Sequence, residues 1–149
     1  MKKELKNTKK KNNKGFSLVE LIVVIAIMAV LMAVLAPAML RYVEKSRVQK
    51  DASAVSEAAN AAELALADEE IYKKAAEASN ADITVVVKDN TEITSSLAEV
   101  ATDVKKTVGD KISFVAKAHK GQTATVTLKY DATKEAYIIE KTDWTTATK

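Results

Sequence analysis

Gly15 and Phe16 meet at a peptide bond between a lysine-rich start and a long apolar stretch, and Glu20 follows one helical turn later. Scission and charge pairing are the chemistry these residues could host. A cut after Gly15 would free a positive amine on Phe16, four residues before Glu20, where the apolar run offers no other cation. A carboxylate at the centre of a membrane helix costs about 2.5–3.5 kcal/mol on insertion scales, and less near an end. A sequence that keeps Glu20 at that cost needs a partner for it.

Other reactive constellations are missing. The chain has no cysteine, hence no disulfide and no thiol chemistry. His119 is the single histidine and lies beside Lys120-Gly121, which reads as a solvated turn. Nothing pairs a nucleophile with a base, and no P-loop, dinucleotide fingerprint or CxxC occurs. Asp131, Glu135, Asp143 and nearby threonines carry oxygen ligands suited to Ca²⁺, but their spacing fits no EF-hand loop, and they read as solvated turns. No catalytic residue, metal or cofactor is expected.

The elements that position the junction lie on both sides of it. Residues 1–15 hold seven lysines and Glu4; without them the net charge of +3 becomes −3. The basic pI of about 8.9 therefore describes the leader, and no nucleic-acid partner is expected for the rest of the chain. Lysines at that place hold the N-terminus on the cytoplasmic side. Residues 21–40 are 20 residues without a charge. As a helix they span about 30 Å, one hydrocarbon core. Ala26, Ala29, Ala33 and Ala36 recur at three- or four-residue spacing, which allows close approach of identical helices.

The basic leader, the run Gly15-Phe16-Ser17-Leu18-Val19-Glu20 and the apolar stretch containing Pro37 together resemble the class III signal of type IV pilins and pilin-like proteins. The resemblance ends near residue 45. It implies that a prepilin peptidase removes residues 1–15 and methylates Phe16. It also implies that Glu20 and Pro37 serve assembly as the fifth and twenty-second residues of the mature chain. The partners it implies are the peptidase, identical subunits in a helical filament, pilus assembly platform proteins, and the membrane before assembly. The chain would cross the cytoplasmic membrane once with its C-terminus outside, then enter an extracellular pilus. Many pilins of diderm bacteria staple their C-terminal region with a disulfide; a chain without cysteine departs from them and fits a Gram-positive-like pilin or a pseudopilin. A rival reading takes Ala36-Pro37-Ala38 as the end of a conventional secretory signal, with a soluble binding domain released after Ala38.

Beyond the apolar run, Val48, Ala52, Val55, Ala59, Ala62 and Leu66 follow a 4,3,4,3,4 spacing, one stripe of an amphipathic helix. The pattern continues through Ile71, Ala75 and Ala78 to an end near Ser79-Asn80. A helix over residues 16–78 would measure roughly 95 Å, with Pro37 removing one hydrogen bond and loosening or kinking it.

The head is expected at residues 81–149. Residues 83–88 are β-branched and read as a strand ending at Asp89-Asn90. Ser96-Leu97-Ala98-Glu99 reads as a capping box opening a short helix that stops at Gly109. Residues 112–118, 123–130 and 135–141 read as an antiparallel meander, with Val126, Leu128 and Tyr130 facing the alanine-rich helix. The tail from Thr142 is polar and is expected to fray unless Trp144 pins it. Tyr42 reads as an interfacial anchor.

The expected fold is thus α+β: a long N-terminal helix in a membrane half (16–40) and an amphipathic half (41–80), the latter packed on a small antiparallel sheet. The expected function is the major structural subunit of a type IV pilus, a peptidase substrate and not an enzyme. A type II secretion pseudopilin shares every feature of the first 45 residues, and a competence pilin, usually a shorter chain, is a further variant.

Overall fold

The computed structural model describes residues 15–78 and 81–146. Its elements in chain order are helix α1 (Leu18–Ala65), helix α2 (Glu69–Glu77), strands β1 (Ile83–Lys88) and β2 (Thr94–Ser95), helix α3 (Ala98–Val108), and strands β3 (Gln122–Asp131) and β4 (Ala136–Thr146). The chain divides into two units, one ending at Leu40 and one beginning at Arg41. The expected arrangement, a long N-terminal helix with a small antiparallel sheet, is what is observed.

The first unit is helix alone. Its large side chains from Leu18 to Leu40 are all exposed, and it is long and apolar enough to cross a membrane. Pro37 lies inside α1, where its ring nitrogen has no hydrogen to give the carbonyl four residues back.

The second unit holds the core. Its sheet has the order β2-β1-β3-β4, antiparallel throughout. Alternation puts Ile83, Val85 and Val87 on one face of β1, opposite Leu128, Val126 and Ala124 of β3. That face joins Val55, Ala58, Ala59, Ala62, Ala65 and Leu66 in one buried cluster. Small alanines let the helix backbone come close to the sheet, and the bulk comes from the strand side.

Four expectations need correction. Helix α1 stops at Ala65, and α2 begins anew behind Asp68, whose carboxylate accepts hydrogen bonds from the amides of Glu70 (2.9 Å) and Ile71 (3.4 Å). Asp68-Glu69-Glu70 is a helix-start signature that the apolar periodicity masked. The helical pattern was expected to end at Ser79-Asn80, which lie outside the described residues. The capping box at Ser96 does not form: α3 starts behind Leu97, which makes no side-chain cap. Ser96 Oγ instead accepts the amide of Thr84 (3.1 Å), and Glu99 pairs with Lys74 (2.5 Å). The stop at Gly109 is observed, with φ at 92°, a region glycine enters freely.

Residues 112–118 do not form a strand. Their alternation is real, with Ile112, Phe114 and Ala116 buried and the residues between them exposed. The amides of residues 114–117, however, go to carboxylates rather than to a neighbouring strand. The last strand runs past its expected end at Lys141: β4 pairs with β3 as far as Thr146, across a register shift between Thr127 and Leu128, and Trp144 is pinned there against His119.

Candidate functional site

Gly15 and Phe16 precede α1 and are exposed, Phe16 to 88%. A Cβ built on Gly15 would meet nothing within 4 Å, and its φ is not in the left-handed region. Nothing in the described fold therefore asks for glycine at this position. Ser17 is the N-cap of α1: its carbonyl accepts from the amide of Leu21 (3.2 Å), the first turn's bond. Glu20 reaches back to accept the amide of Ser17 at 2.9 Å. This is the carboxylate half of a capping box, Ser-x-x-Glu. Such a box is expected at Ser96, whereas the same Ser-x-x-Glu spacing forms its carboxylate half here. Glu20 thus has a local partner, and it stands one turn from the position an amine on Phe16 would take. Pro37 lies more than four turns further along α1, and the structure does not bring it near Glu20.

A second cluster of chemistry-bearing residues lies in the head. Asp51 is the buried charged residue of the core, 2% exposed. It sits one position from Ala52, which the apolar stripe had selected and which is exposed. Asp51, Val55, Ala58, Ala62 and Ala65 form an equally regular helical line, and the residue types alone hid it. The Asp51 carboxylate accepts the amides of Val115 (2.8 Å) and Ala116 (2.9 Å) and faces His119 Nδ1 at 3.3 Å. Glu44 accepts the amide of Lys117 (2.5 Å). Asp89 accepts those of Phe114 (2.9 Å) and Gly121 (3.3 Å). Three carboxylates thereby take the place of a strand partner for residues 114–121.

His119 is not the solvated turn residue expected. Its side chain is 13% exposed and stacks on Trp144 with centroids 3.8 Å apart and planes 11° from parallel. Phe114 packs against Trp144 at 5.1 Å. This cluster clamps the 112–121 loop to α1 and to β4. Asp51 and His119 resemble two members of a hydrolytic relay, but the carboxylate is occupied by backbone amides and the ring lies against the indole, which is a structural use of both. Among the described residues no group of three or more His, Asp or Glu could hold a metal ion. Asp131 caps its own turn through the Thr133 amide (2.9 Å), which holds its carboxyl below the usual range, and Asp143 pairs with Lys141 at 3.0 Å.

Tyr72, Tyr130 and Tyr137 form a further aromatic group. The hydrogen bond it shares with Tyr72, reinforced by burial, pushes the Tyr130 hydroxyl up to about 12. Burial raises Tyr137 as well.

Against known proteins, residues 10–36 match the family model of the prokaryotic N-terminal methylation motif. That motif is the class III signal of type IV pilins and pseudopilins. No curated protein and no solved structure matches. Signal and fold together support a type IV pilin-like prepilin or pseudopilin, a structural type of subunit. Such a signal implies processing by a prepilin peptidase and pilus-type polymerisation in general. The apolar helix fits membrane anchoring followed by assembly.

Proposed function

We propose that the chain is the major subunit of a type IV pilus. The observation that carries this reading is an uncharged 20-residue stretch, wholly exposed in the single chain, most of which lies within the match to the methylation motif. Its large side chains are each worth roughly 1.5–3 kcal/mol when buried, so exposing the whole stretch to water costs tens of kcal/mol. The subunit therefore passes directly from bilayer to filament, where identical helices replace lipid.

In this reading the peptidase cuts between Gly15 and Phe16 and methylates the Phe16 amine. The amine of an incoming subunit then approaches Glu20 of a neighbour already in the filament. The pairing cancels two charges that would be costly unpaired in an apolar core, and it sets register, because one residue of slip moves the amine by about 1.5 Å. The capping contact is a hydrogen bond donated by the Ser17 amide, a group that survives cleavage, and it holds the Glu20 carboxylate toward the helix start. Pro37 supplies a site where α1 can loosen as it leaves the membrane.

The test is made on filaments sheared from cells that express the full chain with its peptidase. A bulky residue at Gly15 leaves uncut precursor in the membrane. Glu20→Ala is still cut and inserted but yields few or no filaments alone, and filaments return when wild-type subunits predominate. Normal filament number and length from Glu20→Ala alone would refute the assembly role.

A further inference from the structure

The head carries opposite charge at the two ends of its stretch of α1. Residues 41–50 hold Arg41, Lys45, Arg47 and Lys50 against the single acid Glu44. The 112–121 loop, bound there through Glu44 and Asp51, adds Lys117 and Lys120. Lys45, Lys50 and Lys117 are exposed and form no ion pair among the described residues. Residues 63–77 hold five acids against two lysines. Arg47 and Glu63 are 16 positions apart on one helix, about 24 Å.

At the acidic end a cavity of about 550 Å³ is walled by Glu63, Glu69, Glu135, Tyr72 and Tyr137. Lys73 already pairs with Glu69 (2.7 Å), but Glu63 and Glu135 have no ion-pair partner among the described residues. Tyr137 is 3% exposed, and its hydroxyl has no hydrogen-bond partner among the described residues. Carboxylates beside aromatic faces suit a long cationic side chain, through charge-assisted hydrogen bonds and cation–π contact.

We infer that this cavity is the socket for the basic end of a second copy of the chain, receiving a lysine or arginine from residues 41–50 or the 112–121 loop. The inference rests on the polymerisation reading above. A patch that meets a different patch on the next copy makes a heterologous contact, which propagates as an open helical array instead of closing as a dimer. Apolar helices packing side by side leave the direction of the array weakly specified. Opposite charges at opposite ends of the head specify it when neighbours are staggered along the array, because a reversed neighbour beyond one end would bring like charges together.

The experiment is a charge swap in the full chain, read as filament yield. Lys45→Glu with Lys50→Glu should lower the yield at least about tenfold, and so should Glu63→Lys with Glu135→Lys, since like-charge juxtaposition costs several kcal/mol and each 1.4 kcal/mol is tenfold. All four changes together should restore most of it. Circular dichroism of each chain in detergent confirms that the head is folded. The absence of native cysteine also allows Lys50→Cys and Glu135→Cys in one chain to be oxidised within filaments. A ladder of linked subunits is expected from the double variant and none from either single one. Undiminished yield from both reversed pairs would overturn the inference, as would folded chains that the swap does not rescue. Few filaments from the Lys45→Glu, Lys50→Glu chain, with normal filaments from the Glu63→Lys, Glu135→Lys chain, would show that the basic end meets something other than this cavity and overturn it too. Absence of filaments from the wild-type chain would instead strike the pilus reading itself.

Discussion

Between Leu18 and Leu40 the large apolar side chains of α1 all lie exposed, whereas between Asp51 and Ala65 the same helix buries seven residues, five of them alanine. The first stretch is rich in Leu, Ile, Val and Met, and only an apolar medium outside the chain can cover it. The second has little side-chain bulk, so its stability depends on a sheet coming close and on the charge it buries being satisfied. One helix therefore answers to two solvents, and a substitution that one stretch tolerates should damage the other.

The largest expected contrast uses a single residue type. Val55→Asp places an unpaired carboxylate in the core at a site 1% exposed, and should cost more than about 4 kcal/mol in denaturant unfolding of the head. Ala52→Asp, three positions earlier and exposed, should change stability by less than about 0.5 kcal/mol. Removing the apolar stretch should likewise leave the head intact: a chain beginning at Arg41 is expected to be soluble and monomeric, with mixed helix and sheet by circular dichroism. A disordered or purely helical spectrum would break the division into two units.

Asp51 sharpens the comparison, because it is a charge that the core requires. Asp51→Ala strands the amides of Val115 and Ala116 and should cost about 3 kcal/mol by the same unfolding measurement. His119→Ala removes the stack on Trp144 and one contact to Asp51 but leaves both amides bonded, so it should cost only about 1–2 kcal/mol. Equal losses from the two variants would mean that the histidine, not the backbone, holds the carboxylate.

The smallest effect is a pH dependence. Lys74 hydrogen-bonds Glu99, and Lys105 hydrogen-bonds Glu92, each holding its partner's carboxyl below the usual range. Groups with depressed folded values stabilise above their unfolded value, near 4.3, and lose that contribution as the pH falls through the folded one. The head should therefore weaken below about pH 4, and Glu92→Gln with Glu99→Gln should flatten that fall while barely changing stability at neutral pH. An unchanged slope would show that these pairs do not form in solution.

What the sequence disclosed divides along the same line. The apolar stretch and its signal were legible because lipid and peptidase each read a contiguous run of residue types. Strand β1 was legible to the residue for a similar reason, since β-branched residues bounded by Asp89-Asn90 leave little choice. The 112–121 loop was not, because burial alternates there as in a strand while the amides are satisfied by Asp51, Glu44 and Asp89, 25 or more positions away. Polarity hid Asp51 itself: a stripe drawn through apolar residues passes beside it. The break at Asp68 was lost under a periodicity that continues through Ile71 and Ala75 on a separate helix.

The central claim is that Gly15-Phe16 is a processing junction and that residues 16–40 stay with the mature chain. Intact mass and N-terminal fragmentation of the chain recovered from sheared surface material test it most directly. The account predicts a chain that begins at Phe16 and carries one methyl group on its amine. A soluble chain beginning at Met39 would contradict it and establish release by a conventional secretory signal.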